Sequence, residues 1–265
     1  MVAHSGATAC AEEPVFRAQG NLFTAVADRE NYFCCDLQGG FGFGWVTQAT
    51  AADSPYLRYH VIEAMAHSLL ENRHLVTLHA ACVALDGYGL LLAGDSGSGK
   101  SSLAYACAHR GWTYCSDDAS SLVVRGGGRT VIGNPEGFRF RSTAGDLFPE
   151  FQGLKDHRRW NGKPTIEVRT SSLPEIRTAF EARIGNVVFL NRSDGADGEA
   201  QLLPVSEAEA TARLFVSPWP AEMTAKGDLR AAVDRLAGAP AYELRYRDLD
   251  GAVDRLEQLV RGGHS

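Results

Sequence analysis

The stretch that decides the fold runs from Gly89 to Arg110 and reads GLLLAGDSGSGKSSLAYACAHR. Its first five residues are apolar and predict a buried strand that ends at a glycine-rich loop. The residues from Ser101 to Arg110 predict a helix, and Gly111 stands where a left-handed residue commonly ends one. A strand that leads through a glycine-rich loop into a helix is the usual setting for a phosphate-binding site.

The loop itself follows the pattern GxxxxGK[ST], which binds nucleotide phosphates. Glycines let successive backbone N–H groups turn toward phosphate oxygens, and the helix dipole adds positive charge at the same place. We expect Lys100 to contact the β- and γ-phosphates and the Ser101 hydroxyl to coordinate Mg²⁺. The predicted nucleotide-binding residues are Gly94, Asp95, Ser96, Gly97, Ser98, Gly99, Lys100, Ser101 and Ser102, the last as support for the first helical turn.

The alternative reading of this loop is a glycine-rich turn built only for packing. The chain has four lysines, Lys100, Lys155, Lys163 and Lys226, among 26 basic residues. Since one of so few lysines falls on the position that a phosphate loop requires, the packing alternative is disfavoured.

Two adjacent aspartates, Asp117 and Asp118, follow a strand predicted over residues 112–115. Phosphoryl transfer needs a metal that bridges the phosphates and a group that orients or deprotonates the acceptor hydroxyl. Neighbouring residues at a strand end point in different directions, so one carboxylate can face the metal and the other the acceptor. A helix cap or turn is the structural alternative for this pair. His79, in a strand predicted over residues 75–84, is either a packed core histidine or a catalytic residue.

The rest of the chain predicts an α/β protein with two parts. Residues 15–50 mix aromatic residues with glycines, which is typical of short strands and tight turns. Ser54-Pro55 predicts the N-cap and first turn of a helix that reaches Asn72. We therefore expect a small β-rich region with a helix over residues 1–74 and a nucleotide-binding domain over residues 75–265.

Within the second part, local signals predict several further elements. A turn is expected at Asp86-Gly87, and residues 142–164 lack a clear period, so they are predicted to form a mobile insertion over the site. The remaining predictions are a hairpin around 126–128, a turn at 134–137, a strand at 187–190, a capping box from Ser206 to Glu209, and a helix, a strand and a helix at 228–237, 241–246 and 249–261.

Composition excludes several classes of function. The net charge of -6 and the pI near 5.8 leave no basic stripe for a nucleic acid backbone. The six cysteines lack zinc-ligand spacing and are expected to be reduced thiols. No signal peptide or membrane span is recognisable, so we expect a cytoplasmic protein with neither nucleic acid nor a membrane as partner.

Several of these motifs together resemble the catalytic domain of bacterial HPr kinase/phosphorylase and its smaller relatives. The residues that carry the resemblance are His79-Ala80-Ala81, the loop from Gly94 to Ala104, His109-Arg110-Gly111 and Ser116-Asp117-Asp118. The resemblance is clearest over residues 75–141. It implies the α/β fold of the HPr kinase and phosphoenolpyruvate carboxykinase group, a P-loop nucleotide-binding core with mixed strands, and ATP and Mg²⁺ as cofactors.

The same resemblance implies roles for individual residues. His79, Lys100, Ser101, Asp117 and Asp118 would line the active site. Asp117 would be the acceptor-side acid or base, and Asp118 would bind the metal together with Ser101.

An arginine is also expected to bind phosphate. The segment 133–139 resembles the family's segment after the aspartate pair, which makes Arg139 a candidate nucleotide ligand. The family signature of an acidic residue, an arginine and glycines has two candidate counterparts here. Either Glu167 and Arg169 are its displaced remnant, or Arg139 and Arg141 bind the anion instead.

The sequence thus predicts an ATP-dependent kinase that phosphorylates a hydroxyl, with a serine of a protein or peptide as acceptor. Two alternatives stay open: a small-molecule kinase of the same fold, and a nucleotide-binding regulatory module without transfer. The family's tendency to form oligomers implies a homo-oligomer.

Overall fold

The computed structural model describes residues 2–4, 9–71, 73–126, 128–154, 157–158, 164–192, 199–214 and 227–262. These residues divide into two compact units, one up to Leu75 and the other from Val76 onward.

The first unit is a five-stranded sheet with helices on one face. Its strands lie in the order β1-β5-β4-β3-β2, with β1 parallel to β5 and all other neighbours antiparallel. Alternating residues such as Phe23, Phe33 and Val46 are buried in its core. The strands are β1 (Val2–His4), β2 (Val15–Gln19), β3 (Leu22–Val26), β4 (Tyr32–Asp36) and β5 (Phe41–Thr47), and the helices are α1 (Gln48–Ala52), α2 (Ser54–Tyr56) and α3 (Ala64–Glu71).

The helix predicted from Ser54 differs from the observed one in two respects. Asp53, and not Ser54, caps its start, because the Asp53 carboxylate accepts the Tyr56 backbone N–H at 3.0 Å. Pro55 lies in the first turn as predicted. Between α2 and α3 the chain makes a π-helical turn over Leu57–Glu63, and the predicted end at Asn72 lies outside the described residues.

The second unit is built on one large sheet that branches at its longest strand. The main path is β15-β9-β7-β8-β16-β18-β17, and β11-β10-β6 extends from the first half of β16. Strands β15, β9, β8, β16 and β18 share one direction, while β7 and β17 run against them. The strands are β6 (Leu75–Leu78), β7 (Ala80–Leu85), β8 (Tyr88–Ala93), β9 (Thr113–Ser116), β10 (Ser120–Val123), β11 (Thr130–Ile132), β15 (Arg177–Thr178), β16 (Glu181–Arg192), β17 (Gln201–Val205) and β18 (Ala241–Tyr246).

Helices cover both faces of this sheet, as expected for strands that are buried on both sides. Helices α4 (Lys100–His109) and α7 (Leu249–Gly262) pack on one face, and α5 (Glu207–Leu214) and α6 (Gly227–Ala237) on the other. Each fully buried leucine, such as Leu91 or Leu92, contributes about 2 kcal/mol. The mixed α/β class predicted from the sequence is therefore present.

A smaller sheet lies beside α4. It consists of β12 (Gly137–Phe140), β14 (Pro164–Arg169) and β13 (His157–Arg158), with β14 in the middle. Phe138 and Phe140 of β12 are buried in the same core as α4.

The strand predicted over residues 75–84 is interrupted. β6 ends at Leu78, β7 begins at Ala80, and His79 lies between them. The chain changes neighbours at this point, because β6 pairs with β10 whereas β7 pairs with β8 and β9.

The predicted mobile insertion is in part a packed segment. Ser142–Asp146 and Pro149–Phe151 are 3-10 turns, and the Phe148 and Phe151 rings are buried against Tyr105 of α4. Burial of these rings explains why the segment is ordered despite its lack of period. Residues 155–156 and 159–163 lie outside the described residues.

Most other predicted elements are confirmed. The structure contains the turn at Asp86-Gly87, the hairpin as the pairing of β10 with β11, and the closing helix, strand and helix. At the predicted capping box, the Glu209 N–H donates a hydrogen bond to the Ser206 hydroxyl at 3.3 Å. All six cysteines are free thiols. Among the described residues, none of the helices is long and apolar enough to cross a membrane.

Candidate active site

Strand direction brings the predicted site residues to one edge of the large sheet. β8 and β9 point the same way, and β7 between them points the opposite way. The ends of β8 and β9 therefore meet the start of β7. The glycine-rich loop follows β8, the aspartate pair follows β9, and His79 precedes β7.

The glycine-rich loop leaves the start of α4 open for a ligand. Gly99 is the N-cap, with φ of +97°, and no side chain caps the helix. The first backbone bond of the helix runs from the Leu103 N–H to the Gly99 carbonyl, so the preceding N–H groups lack a helical partner. The Ser98 hydroxyl is buried and has no hydrogen-bond partner among the described residues. These donors at a positive helix end suit a phosphate group.

Lys100 lies folded back onto this loop. Its ammonium group donates to the carbonyls of Gly94 at 2.6 Å and Asp95 at 3.1 Å, and it lies 3.0 Å from His79 Nε2. Lys100 is only 6% exposed, and burial lowers its pKa, although Asp118 and other carboxylates oppose the shift. The structure thus holds a buried cation at the loop.

His79 links Lys100 to Asp118. Its Nδ1 lies 3.3 Å from Asp118 Oδ1 while its Nε2 faces the Lys100 ammonium. An ammonium group can only donate, so Nε2 must accept, and the proton of the neutral ring is then on Nδ1 toward Asp118. Side chains from three separate elements thereby form one series of polar contacts.

The two adjacent aspartates have different surroundings. Asp117 is 5% exposed, and its Oδ2 accepts the Arg139 backbone N–H at 2.6 Å. Burial raises the pKa of Asp117 to about 6, against the opposing effects of that N–H and of a hydrogen bond from the Ser101 hydroxyl. The Asp118 side chain is 39% exposed and faces His79.

A buried hydroxyl pair fixes the position of the aspartates. Ser120 donates to the Ala80 carbonyl at 2.9 Å, so Ser116 donates to Ser120 at 2.6 Å. Ser116 and Ser120 flank the aspartate pair, and Ala80 follows His79 in the chain. This network holds the end of β9 against the start of β7.

Two arginines, one in β12 and one directly after it, have different positions. Arg139 Nε lies 3.5 Å from Glu167 Oε1, and the two residues are opposite each other on β12 and β14. Arg141, which follows the strand, places Nη2 at 3.4 Å from the Ser96 hydroxyl. Arg169 lies farther along β14, opposite Gly137. Of the two counterparts left open by the sequence, the pair of Arg139 and Arg141 thus includes a residue, Arg141, whose side chain contacts the loop.

Sequence reasoning missed one residue that supports the loop. The Tyr246 hydroxyl, at the end of β18, donates to the Ser98 carbonyl at 3.1 Å. Burial raises its pKa to about 12, so it stays a neutral donor near pH 7. A tyrosine at the end of a predicted strand was the available signal, but only the sheet order places that strand end near the loop.

The residues expected to bind magnesium, Ser101 and Asp118, lie in this cluster together with Asp117. Among the described residues, no group of three or more His, Cys, Asp or Glu side chains could hold a metal ion. Magnesium in nucleotide sites is held by one or two protein oxygens and by the phosphates, so the residues present fit this ion.

Comparisons with known proteins add a structural likeness. No family profile and no curated protein matches the chain. Among solved structures, the chain is similar to the Hpr(Ser) kinase/phosphatase from Coxiella burnetii, with 12% identity over 71% of this chain and 99% of that one and a TM-score of 0.38.

Proposed function

We propose that this protein is an ATP-dependent kinase that transfers the γ-phosphoryl group to a hydroxyl, with a serine of a protein or peptide as acceptor. One observation carries the proposal: a phosphate-type loop with a buried lysine and a pair of carboxylates occupy the same sheet edge. Phosphoryl transfer requires positioning and charge neutralisation, which these groups can supply.

The loop residues Gly94 to Ser101 and the support residue Ser102 would hold the ATP phosphates, and Lys100 would exchange its loop carbonyls for phosphate oxygens. Bound Mg²⁺ would neutralise charge on the phosphates. The Ser101 hydroxyl is the side chain in the loop that suits this ion.

The contacts favour an order of the two aspartates that is the reverse of the one implied by the family resemblance. Asp117 is buried beside Ser101, which is the position of the carboxylate that assists metal binding in nucleotide-binding loops. Asp118 is more exposed, so an acceptor can reach it, and its Oδ1 lies 3.3 Å from His79 Nδ1. We assign Asp117 to the metal and Asp118, supported by His79, to the acceptor hydroxyl.

Label transfer from γ-labelled ATP tests the function. The wild-type protein is incubated with MgCl₂ and either a library of serine, threonine and tyrosine peptides or a mixture of small hydroxylated metabolites. Label on serine peptides is expected. Label on metabolites alone would favour the small-molecule kinase, and ATP binding without transfer would favour the regulatory module.

A magnesium titration tests the order of the aspartates. Asp117→Asn is expected to raise the Mg²⁺ concentration needed for half-maximal transfer, whereas Asp118→Asn lowers kcat at saturating Mg²⁺ by about 10²-fold or more. The matched control is Asp86→Asn, the same change at a turn where Asp86 has φ of +51° and asparagine is tolerated. The opposite pattern in the two variants would restore the order implied by the resemblance.

A further inference from the structure

Two cations contact the glycine-rich loop at different points. Lys100 contacts the carbonyls of Gly94 and Asp95, and Arg141 contacts the Ser96 hydroxyl. The Arg141 guanidinium also packs against Gly97, because a Cβ atom placed on Gly97 would lie 2.7 Å from its Nη2. Gly97 therefore provides the space in which the arginine approaches the loop.

The charge of Arg141 is not balanced locally. Within the part of the chain that the structure describes, Arg141 makes no salt bridge, whereas Arg139 lies beside Glu167. Burial is the main cause of the lowered pKa of Lys100, nearby carboxylates such as Asp118 oppose it, and the charge of Arg141 adds a smaller lowering effect. Two like charges around one loop repel each other, and an anion bound between them would relieve that repulsion.

The backbone of Arg141 is held in place although its side chain is exposed. Its carbonyl accepts the Ala144 N–H at 3.0 Å, and Ala144 is buried. The segment that follows buries Phe148 and Phe151 against Tyr105 of α4, the helix that begins with Lys100. Packing thus fixes the backbone of both residues relative to the same helix, which contributes to the preorganisation that electrostatic stabilisation of a transition state requires.

We infer that Arg141 is an arginine finger supplied by the same chain, whose guanidinium binds the phosphoryl group during transfer. This inference rests on the proposed function. In the transfer, the bond between the γ-phosphorus and ADP breaks and a bond to the acceptor oxygen forms. The hydroxyl proton passes to the Asp118 carboxylate, and Arg141 remains a cation throughout. The planar guanidinium fork suits the equatorial oxygens of a transferring phosphoryl group.

Under this inference Arg139 is a positioning residue. Its backbone N–H holds Asp117, and its side chain lies at Glu167. On this assignment Arg141, and not Arg139 as the sequence suggested, would be the arginine that binds the phosphoryl group.

Three variants and one control test the inference. Arg141→Ala is expected to lower kcat about 10³-fold and to weaken ADP binding by less than about threefold, because the charge that it meets develops during transfer. Arg141→Lys keeps the charge but lacks the fork, and should recover less than about a tenth of the lost rate. Lys100→Ala should weaken binding of both ADP and ATPγS. Arg183→Ala, an exposed arginine at the start of β16 and therefore at the end of the strands opposite the loop, should behave like the wild type.

The outcomes separate this inference from the proposed function. If the wild type binds and transfers, and Arg141→Ala keeps kcat within about twofold, the inference is overturned and the kinase assignment stands. If the wild type binds neither ADP nor ATPγS, both fail together. If the wild type binds nucleotide but labels no acceptor, a transition-state mimic decides: in Arg141→Ala, a loss of affinity for ADP with aluminium fluoride that is about tenfold greater than the loss for ADP alone supports the inference, and equal losses overturn it.

Discussion

The two ends of helix α4 differ in how their backbone groups are satisfied, although Trp112 Nε1 at the C-terminal end, like Ser98 Oγ at the start, is buried without a partner among the described residues. At the start, Gly99 offers no side-chain cap, the Ser98 hydroxyl has no partner in the described chain, and Lys100 is a buried cation. At the other end, Gly111 has φ of +86°, and the Trp112 N–H donates to the Cys107 carbonyl at 3.1 Å, as in a regular helix termination.

The body of the helix is as well packed as its C-terminal end. The Tyr105 ring lies within 5.5 Å, between ring centroids, of four buried phenylalanines: Phe138, Phe140, Phe148 and Phe151. Under the proposed function, stability and ligand binding would be divided along this one helix. The packed half stabilises α4, and this allows its first turn to keep polar groups available for a ligand.

The largest effect is expected from truncating Tyr105, the aromatic side chain at the centre of the packed half of α4. Tyr105→Ala should lower the free energy of unfolding by about 4 kcal/mol, because it empties the centre of the aromatic cluster. Chemical denaturation measures the change. Tyr105→Phe is the control, since it keeps the ring and removes only the hydroxyl that donates to Glu150 at 2.9 Å. Its cost should be about 1 kcal/mol, and equal losses in both variants would contradict the packing argument.

A comparable effect, on activity and not on folding, is expected at the open end. Lys100→Ala should reduce phosphoryl transfer about 10³-fold, equivalent to about 4 kcal/mol, because it removes the cation of the loop. Thermal unfolding should show that the variant is folded and unfolds in the same way as the wild type. Activity near that of the wild type would mean that the two ends of α4 do not divide the roles as described.

The third prediction concerns the buried carboxylate beside that open end. A pKa of about 6 for Asp117 in the folded protein, above the ordinary value of 3.8, means that the folded state binds the proton more tightly than the unfolded state. Its contribution to stability is therefore full below pH 3.8 and is lost as the pH rises through about 6. At pH 8 the free energy of unfolding of Asp117→Asn should therefore exceed that of the wild type by up to about 3 kcal/mol.

Denaturation of the wild type and Asp117→Asn between pH 4 and pH 8 checks this expectation. The difference in unfolding free energy between the variant and the wild type should shrink toward pH 4. A hydrogen bond lost in the variant would change this difference equally at every pH, so the pH series is an internal control. An advantage that does not change with pH would show that Asp117 does not titrate in this range.

The smallest effect is expected from the support behind the loop. Tyr246→Phe removes the hydroxyl that donates to the Ser98 carbonyl and should cost about 1 kcal/mol of unfolding free energy. Nucleotide affinity should fall modestly, which calorimetric titration with ADP measures. Tyr242→Phe, on the same strand, is the matched control.

The sequence predicted the elements around the loop well, because the constraints there are local. Gly97 and Gly99 have positive φ, as a phosphate loop requires, and the apolar run before them forms a strand. The meeting of His79 with Asp118 followed from the resemblance, but the break in the strand at His79 did not. An apolar run has the same appearance whether or not the chain changes neighbours within it.

Long-range packing explains what could not be predicted. Phe148 and Phe151 follow no helical or strand period, so only the structure shows that Tyr105 buries them. Alternation along β12 places Arg139 and Arg141 on the same face, yet it does not show which of them contacts the loop. The sheet order likewise determines that Tyr246 supports Ser98.

The antiparallel course of β7 has a practical consequence for protein engineering. Since β7 begins and β8 ends at the edge that carries the site, the tight turn that joins them, Asp86-Gly87, lies at the opposite edge. A Cβ atom added to Gly87 would meet no atom within 4 Å. A domain inserted at this turn would therefore be separated from the glycine-rich loop by the full length of two paired strands.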